Sequence, residues 1–122
     1  MDLTECIVIS ILKRIGRTSI DRLARLTFLV DRLGGFEAFD WDRVDLVITS
    51  PTFLDLIEKM ESNNTTKRIE NFIILMNNDY EPDCGWLKDR INSTIDYVIN
   101  KYGSLNDEEL EDAVETIYEG VY

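Results

Sequence analysis

The sequence predicts a mostly α domain with one short β-hairpin or strand pair. Five stretches repeat apolar residues every three or four positions, the spacing of an amphipathic helix. Most of those stretches carry a start or stop signal at an end. Two others, residues 36–48 and 67–76, lose the helical period.

Residues 3–15 read as the first helix. Leu3, Ile7, Ile11 and Ile15 recur at fours, Val8 and Leu12 lie beside them, and Ile9 adds apolar girth. The β-branched content raises a strand alternative. The length, and the spacing carried through to Ile15, decide for helix. Gly16 ends it, and the short turn that follows predicts a compact helical corner.

Residues 18–35, TSIDRLARLTFLVDRLGG, are expected to be the central helix. Thr18 or Ser19 is a natural N-cap, and Thr18 with Asp21 fits a capping box. Leu23, Leu26, Val30 and Leu33 form a line that Phe28 and Leu29 widen, which predicts burial on more than one side. Gly34 and Gly35 supply the stop, since glycine enters the left-handed cap conformation freely.

Residues 36–48 nearly alternate through Phe39, Trp41, Val44, Leu46 and Ile48 and read as a short strand or an irregular aromatic plug. Residues 49–61 start a helix, with Ser50 as N-cap and Pro51 at the first helical position, where its missing amide proton costs nothing. Phe53, Leu54, Ile57 and Met60 form the expected apolar face, with Leu56 at its edge. Residues 62–66, SNNTT, form a polar turn. Residues 67–76, KRIENFIILM, are a strand returning over the core or a short helix, and a hairpin partner for them is hardest to find; residues 39–48 are one source.

Residues 83–102 are the long helix, with Leu87, Ile91, Ile95, Val98 and Tyr102 at spacings of four, four, three and four. That line suits antiparallel packing inside the domain or a two-fold seam between copies, and Tyr97, Tyr102, Tyr118 and Tyr122 could add aromatic area. Gly103 stops it. Residues 104–122 form the last helix, capped by Asn106 with Glu109 completing a box. Leu110, Ala113, Val114, Ile117 and Tyr118 face inwards. Residues 107–119 hold seven acidic residues and no basic one.

The 122 residues fit one domain, built of a core over 1–76 and a two-helix extension over 83–122. The formal net charge is -11, yet residues 13–34 hold six basic residues (Lys13, Arg14, Arg17, Arg22, Arg25 and Arg32) against Asp21 and Asp31. This is either a phosphate-binding face or one ion-paired within the chain. An overall charge of that sign opposes tight nucleic-acid binding and favours a protein partner, a basic one in particular.

The absence of histidine excludes imidazole-based catalysis, and with two cysteines it excludes a conventional zinc site. No phosphate-binding glycine loop is present. Asp40, Asp42 and Asp45 lie close together beside Trp41, but three near carboxylates are ordinary in so acidic a chain. The expectation is no enzyme activity, no cofactor and no metal. Cys6 reads as a small core residue and Cys84 as a loop residue in EPDCGW, with nothing requiring a bond between them. The acidic N-terminus and the lack of a long apolar run point to the cytosol, with no membrane association.

Three segments together resemble a family. Arg22-Leu23-Ala24-Arg25-Leu26-Thr27-Phe28-Leu29-Val30, Ser50-Pro51-Thr52-Phe53 and Lys101-Tyr102-Gly103-Ser104-Leu105-Asn106-Asp107-Glu108-Glu109-Leu110 are similar to signatures of small archaeal and phage-associated winged-helix proteins related to the SocA-like antitoxin (Panacea) domain. The resemblance implies a winged-helix-like topology and a regulatory, antitoxin or protein-interaction role. The chain departs from the family's Tyr-Gly-Pro pattern with Ile48-Thr49-Ser50-Pro51. A winged-helix topology makes residues 51–61 the recognition element. That segment offers Lys59 against Asp55, Glu58 and Glu61, a poor match to DNA, whose readers use arginine, lysine, asparagine or glutamine.

The sequence therefore favours a non-catalytic adaptor or inhibitory partner with an acidic surface. The alternative is a DNA-binding transcriptional regulator that uses the basic face of residues 13–32. The residues expected at an interaction surface are Arg14, Arg17, Arg22, Arg25, Trp41, Asp55, Glu58, Glu111 and Glu115, with a homodimer through 83–102 as a further expectation.

Overall fold

A computed structural model describes residues 2–45 and 47–120. Leu46 and Tyr122, counted above among the apolar and aromatic positions, lie outside the described residues. The architecture is mostly helical with two small antiparallel sheets. In chain order the elements are α1 (Leu3–Ile15), β1 (Thr18–Ser19), α2 (Ile20–Gly34), β2 (Asp42–Val44), β3 (Val47–Thr49), α3 (Pro51–Ser62), β4 (Thr66–Ile69), β5 (Phe72–Leu75), α4 (Lys88–Tyr102) and α5 (Asp107–Tyr118). A single 3-10 turn, Gly85–Leu87, leads into α4.

Helix α1 sits in the middle. Its seven consecutive residues Cys6–Leu12 are all buried, so the helix is covered on every side by α2, α3, α4 and β5. Its β-branched residues have weak helix propensity, and the packing overrides it. Asp2 caps the N-terminus by accepting from the Glu5 amide, and Gly16 closes the other end at φ 77°. Helix α2 is the second hub and touches α1, α4, α5, β1 and β3. Leu23, Leu26, Phe28, Leu29 and Val30 are each at most 1% exposed, as the widened stripe predicts.

Ser19, not Thr18, caps α2: its hydroxyl accepts from the Arg22 amide at 3.1 Å. Thr18 instead pairs with Ile73 in a two-residue strand, so the Thr18–Asp21 box does not form. The double glycine divides its work. Gly35 takes the left-handed conformation at φ 65°, while a Cβ on Gly34 would lie 2.2 Å from the Phe36 ring. Gly35 answers a conformational need, and Gly34 leaves room for the Phe36 ring to lie against it.

The hairpin lies within residues 66–75. β4 and β5 pair with Ile69 opposite Phe72, leaving Glu70 and Asn71 as the turn, and β1 adds to the outer side of β5. Residues 39–48 are thus not its second arm; β2 and β3 pair only with each other. Glu70 adopts φ 56°, a conformation this turn demands and glutamate does not advertise. In α3 the buried face is Phe53, Leu56, Ile57 and Met60, so Leu56 faces inwards and Leu54 outwards, the reverse of the expected edge.

Helix α4 begins at Lys88, five residues later than expected. Gly85 at φ 56° interrupts the helix, and Cys84 is drawn away to Cys6. The two cysteines form a disulfide across a sequence separation of 78. Ile91, Ile95, Val98 and Tyr102 are buried against α1 and α2, so the long apolar line is engaged inside the chain. The α5 box forms as read, with Asn106 accepting from the Glu109 amide at 2.8 Å and Glu109 accepting from the Asn106 amide at 3.1 Å. Leu110, Val114 and Ile117 bury that helix against α2. Among the described residues no helix is long and apolar enough to cross a membrane.

The Thr27 hydroxyl is fully buried in α2 without a hydrogen-bond partner. An isosteric methyl removes that desolvation cost, so Thr27→Val is expected to raise the unfolding free energy by about 1 kcal/mol in urea titration.

Candidate functional site

Two surfaces gather the residues expected to carry function. The first is a charged seam where α2 and the β2–β3 hairpin meet α4 and α5. The arginines of α2 fall on its solvent-side turns because its apolar stripe occupies the rest, and α5 presents carboxylates from the rim of its own buried stripe. Arg22 reaches Asp107 at 3.0 Å and also donates to the carbonyls of Gly103 (3.0 Å) and Leu105 (2.8 Å), closing the α4–α5 turn. Arg25 lies 3.9 Å from Glu111, and Arg43 lies 3.7 Å from Glu115 and 3.4 Å from Glu119. Arg14, on α1, pairs with Asp96 on α4. Arg17 stacks its guanidinium 4.3 Å from the centre of the Phe72 ring, and Arg32 lies over Phe28 and Tyr118. Arg14, Arg22 and Arg25 are thus paired with carboxylates inside the chain, while Arg17 and Arg32 are exposed and lie over aromatic rings.

Trp41 belongs to the same side. It is half-buried in an aromatic cluster with Phe39 at 5.2 Å, Phe28 at 5.5 Å and Phe53 at 6.1 Å between ring centres. Its indole N–H donates to Asp31 Oδ2 at 2.8 Å. Asp31 is 3% exposed and also accepts from the amides of Ala38 and Phe39. This one buried carboxylate shapes the whole loop from α2 to β2. Sequence reasoning passed over it, since an aspartate three residues before a double glycine looks like part of a solvated face.

The second surface is the outward face of α3. Leu54, Asp55 and Glu58 are exposed there, and Lys59 beside them lies 3.7 Å from Asp2. The N-terminus of α3 is held by two side chains in relay. Ser50 accepts from the Phe53 amide and donates to Asp40, which also accepts from the Thr52 amide at 3.1 Å. The Ser50 hydroxyl, then the Thr52 amide, hold the Asp40 carboxyl below its ordinary value. Asp40 is thus a capping residue. Asp42 accepts from the Arg43 amide, and Asp45 sits at φ 52° beyond the end of β2. Among the described residues no group of three or more histidine, cysteine or acidic side chains is arranged to hold a metal.

No protein-family model matches the chain, and comparison with curated proteins and with solved structures finds no match.

Asp31→Asn replaces an acceptor facing three donors with a half-donor, so a loss of about 2 kcal/mol is expected, with a shift of Trp41 emission as the loop loosens. Asp40 has a lowered folded pKa. Its contribution is full above the ordinary value of 3.8 and is lost as pH falls through the depressed folded value. Asp40→Asn should therefore be less stable than the parent at pH 6, and the gap should close as denaturation is repeated progressively below pH 4.

Proposed function

We propose that the chain is a non-catalytic protein-interaction module of winged-helix-like topology, acting as an adaptor or inhibitory partner. Set apart from the separate β2–β3 hairpin inserted between α2 and α3, the remaining order helix–strand–helix–helix–strand–strand, with β1 beside β5, supports that topology, and so does the resemblance to the SocA-like antitoxin (Panacea) family. In such an arrangement α3 takes the place of the recognition helix. The observation that carries the reading is the pairing of charges. The outward face of α3 offers Leu54, Asp55 and Glu58, while Arg14, Arg22 and Arg25 are paired with carboxylates of the same chain and Arg17 and Arg32 lie over its rings.

A DNA phosphate approaching Arg22 or Arg25 would have to displace Asp107 or Glu111 and then lie against the remaining carboxylates of α5. A protein partner meets a surface already formed. Its expected character is basic, because Asp55 and Glu58 favour lysine or arginine opposite them, with Leu54 supplying an apolar contact.

Titration of a fluorescent DNA duplex at low and at near-physiological salt is expected to show no binding at either. A photo-crosslinking residue at position 54 is expected to capture one discrete protein from extract of the native host. Asp55→Lys/Glu58→Lys should lose that capture while keeping the parent's circular dichroism. Salt-sensitive DNA binding that weakens in Arg22→Glu/Arg25→Glu would replace this reading with the DNA-binding regulator.

A further inference from the structure

The Cys6–Cys84 disulfide is placed where its state decides how one particular segment is held. Between β5 and α4 the chain runs for twelve residues, 76–87, across the outside of α1. From Met76 to Arg90 every residue is exposed or half-buried except Cys84, which is 7% exposed. Cys6, its partner, is completely buried in the α1 core. Cys84 is therefore the one buried residue of the segment, and Leu87, at its junction with α4, packs only partly against the core.

Its other ties to α1 include polar contacts at the surface. The Tyr80 hydroxyl donates to Glu5 at 3.1 Å, and Lys13 donates to the Tyr80 carbonyl at 3.1 Å and to Glu81 at 2.5 Å. Exposed contacts of this kind contribute little each. Trp86, two residues past the bond, is 86% exposed and adds no apolar anchor.

On either side the chain is held differently. Ile73 and Leu75 bury β5, and Ile91, Ile95 and Val98 bury α4. Those anchors do not depend on sulfur. Loss of the bond therefore loosens the segment between them and leaves the flanking elements packed.

We propose that Cys6–Cys84 is a redox-controlled anchor: oxidised, it docks residues 77–87 on α1; reduced, it releases them while the helical core stays folded. The reductant is a dithiol. Its thiolate attacks Cys84 Sγ, the more accessible sulfur, forming a mixed disulfide as Cys6 leaves and takes up a proton. The second thiol of the reductant then displaces Cys84, which is protonated in turn. Two electrons and two protons pass to the pair, and the reductant leaves as its own disulfide. Release widens the open cleft of about 180 Å³ that the segment walls against α1 and α4, freeing Lys13 from Glu81 beside Arg14 and Lys88. The oxidised form belongs to an oxidising compartment or to a cell that keeps internal disulfides, and the reduced form to a reducing cytosol.

The test is hydrogen exchange by mass spectrometry on the intact chain, air-oxidised and then treated with dithiothreitol, with Cys6→Ala/Cys84→Ala alongside. Exchange across residues 77–87 is expected to rise about tenfold or more on reduction, with α2 and α3 unchanged and protection restored on reoxidation. The double variant should match the reduced parent. If it does not fold, the reduced parent decides alone. Unchanged protection of 77–87, loss of protection throughout the chain together, or two titratable thiols in the air-oxidised protein would each overturn the proposal.

Discussion

A helix whose residues are buried seven in a row has no face to spare for water. That constraint on α1 organises the rest of the molecule, because a helix apolar all round must be surrounded. Cys6 through Leu12 leave the exposed polar positions of α1 to its two ends. Three helices and a strand of the small sheet then become its cover. Each fully buried isoleucine or leucine contributes roughly 1.5–3 kcal/mol relative to exposure, so the middle of α1 outweighs any single charged contact in the structure. The aromatic cluster around Trp41 and the stripe on α5 extend the same core outward from α2.

Charge has a different part. The chain carries a large negative excess and places arginines of α2 where they meet the acidic helix α5. Surface pairs of this kind contribute about 0–1 kcal/mol each. The seam is better understood as setting position: Arg22 joins the α4–α5 turn through two carbonyls and a carboxylate, which fixes where α5 starts along α2. Apolar residues Leu110, Val114 and Ile117 then supply the adhesion. Division of labour between directional polar contacts and non-directional burial explains why so acidic a helix docks on its own chain.

Much of the fold was legible from local signals. Ser50 before Pro51, Asn106 with Glu109, and Gly35 all act through groups within a few residues, and each appears as read. What was not legible depends on partners distant in sequence. β1 is two residues long and is a strand only because Ile73 and Phe72 lie opposite. β4 is polar except at Ile69, and its Glu70-Asn71 turn lacks the glycine that marks most two-residue hairpins, so only the apolar β5 stood out. Cys6 and Cys84 looked unrelated because a buried cysteine in an apolar run resembles any small core residue. In the candidate site the identity of the arginines was legible and their engagement was not. Asp31 was invisible for the same reason, since its three donors come from a loop whose path the sequence leaves open.

The position of α5 along the chain has a consequence for synthesis. Helix α2 is complete by residue 34, yet the face that α4 and α5 cover stays bare until residues 88–118 have been made. Until then the nascent chain carries an apolar stripe edged with unmatched arginines. The carboxylates of α5 are, in that interval, the missing counter-charge of a transiently cationic surface, and that surface reaches its final electrostatic character only when this helix docks.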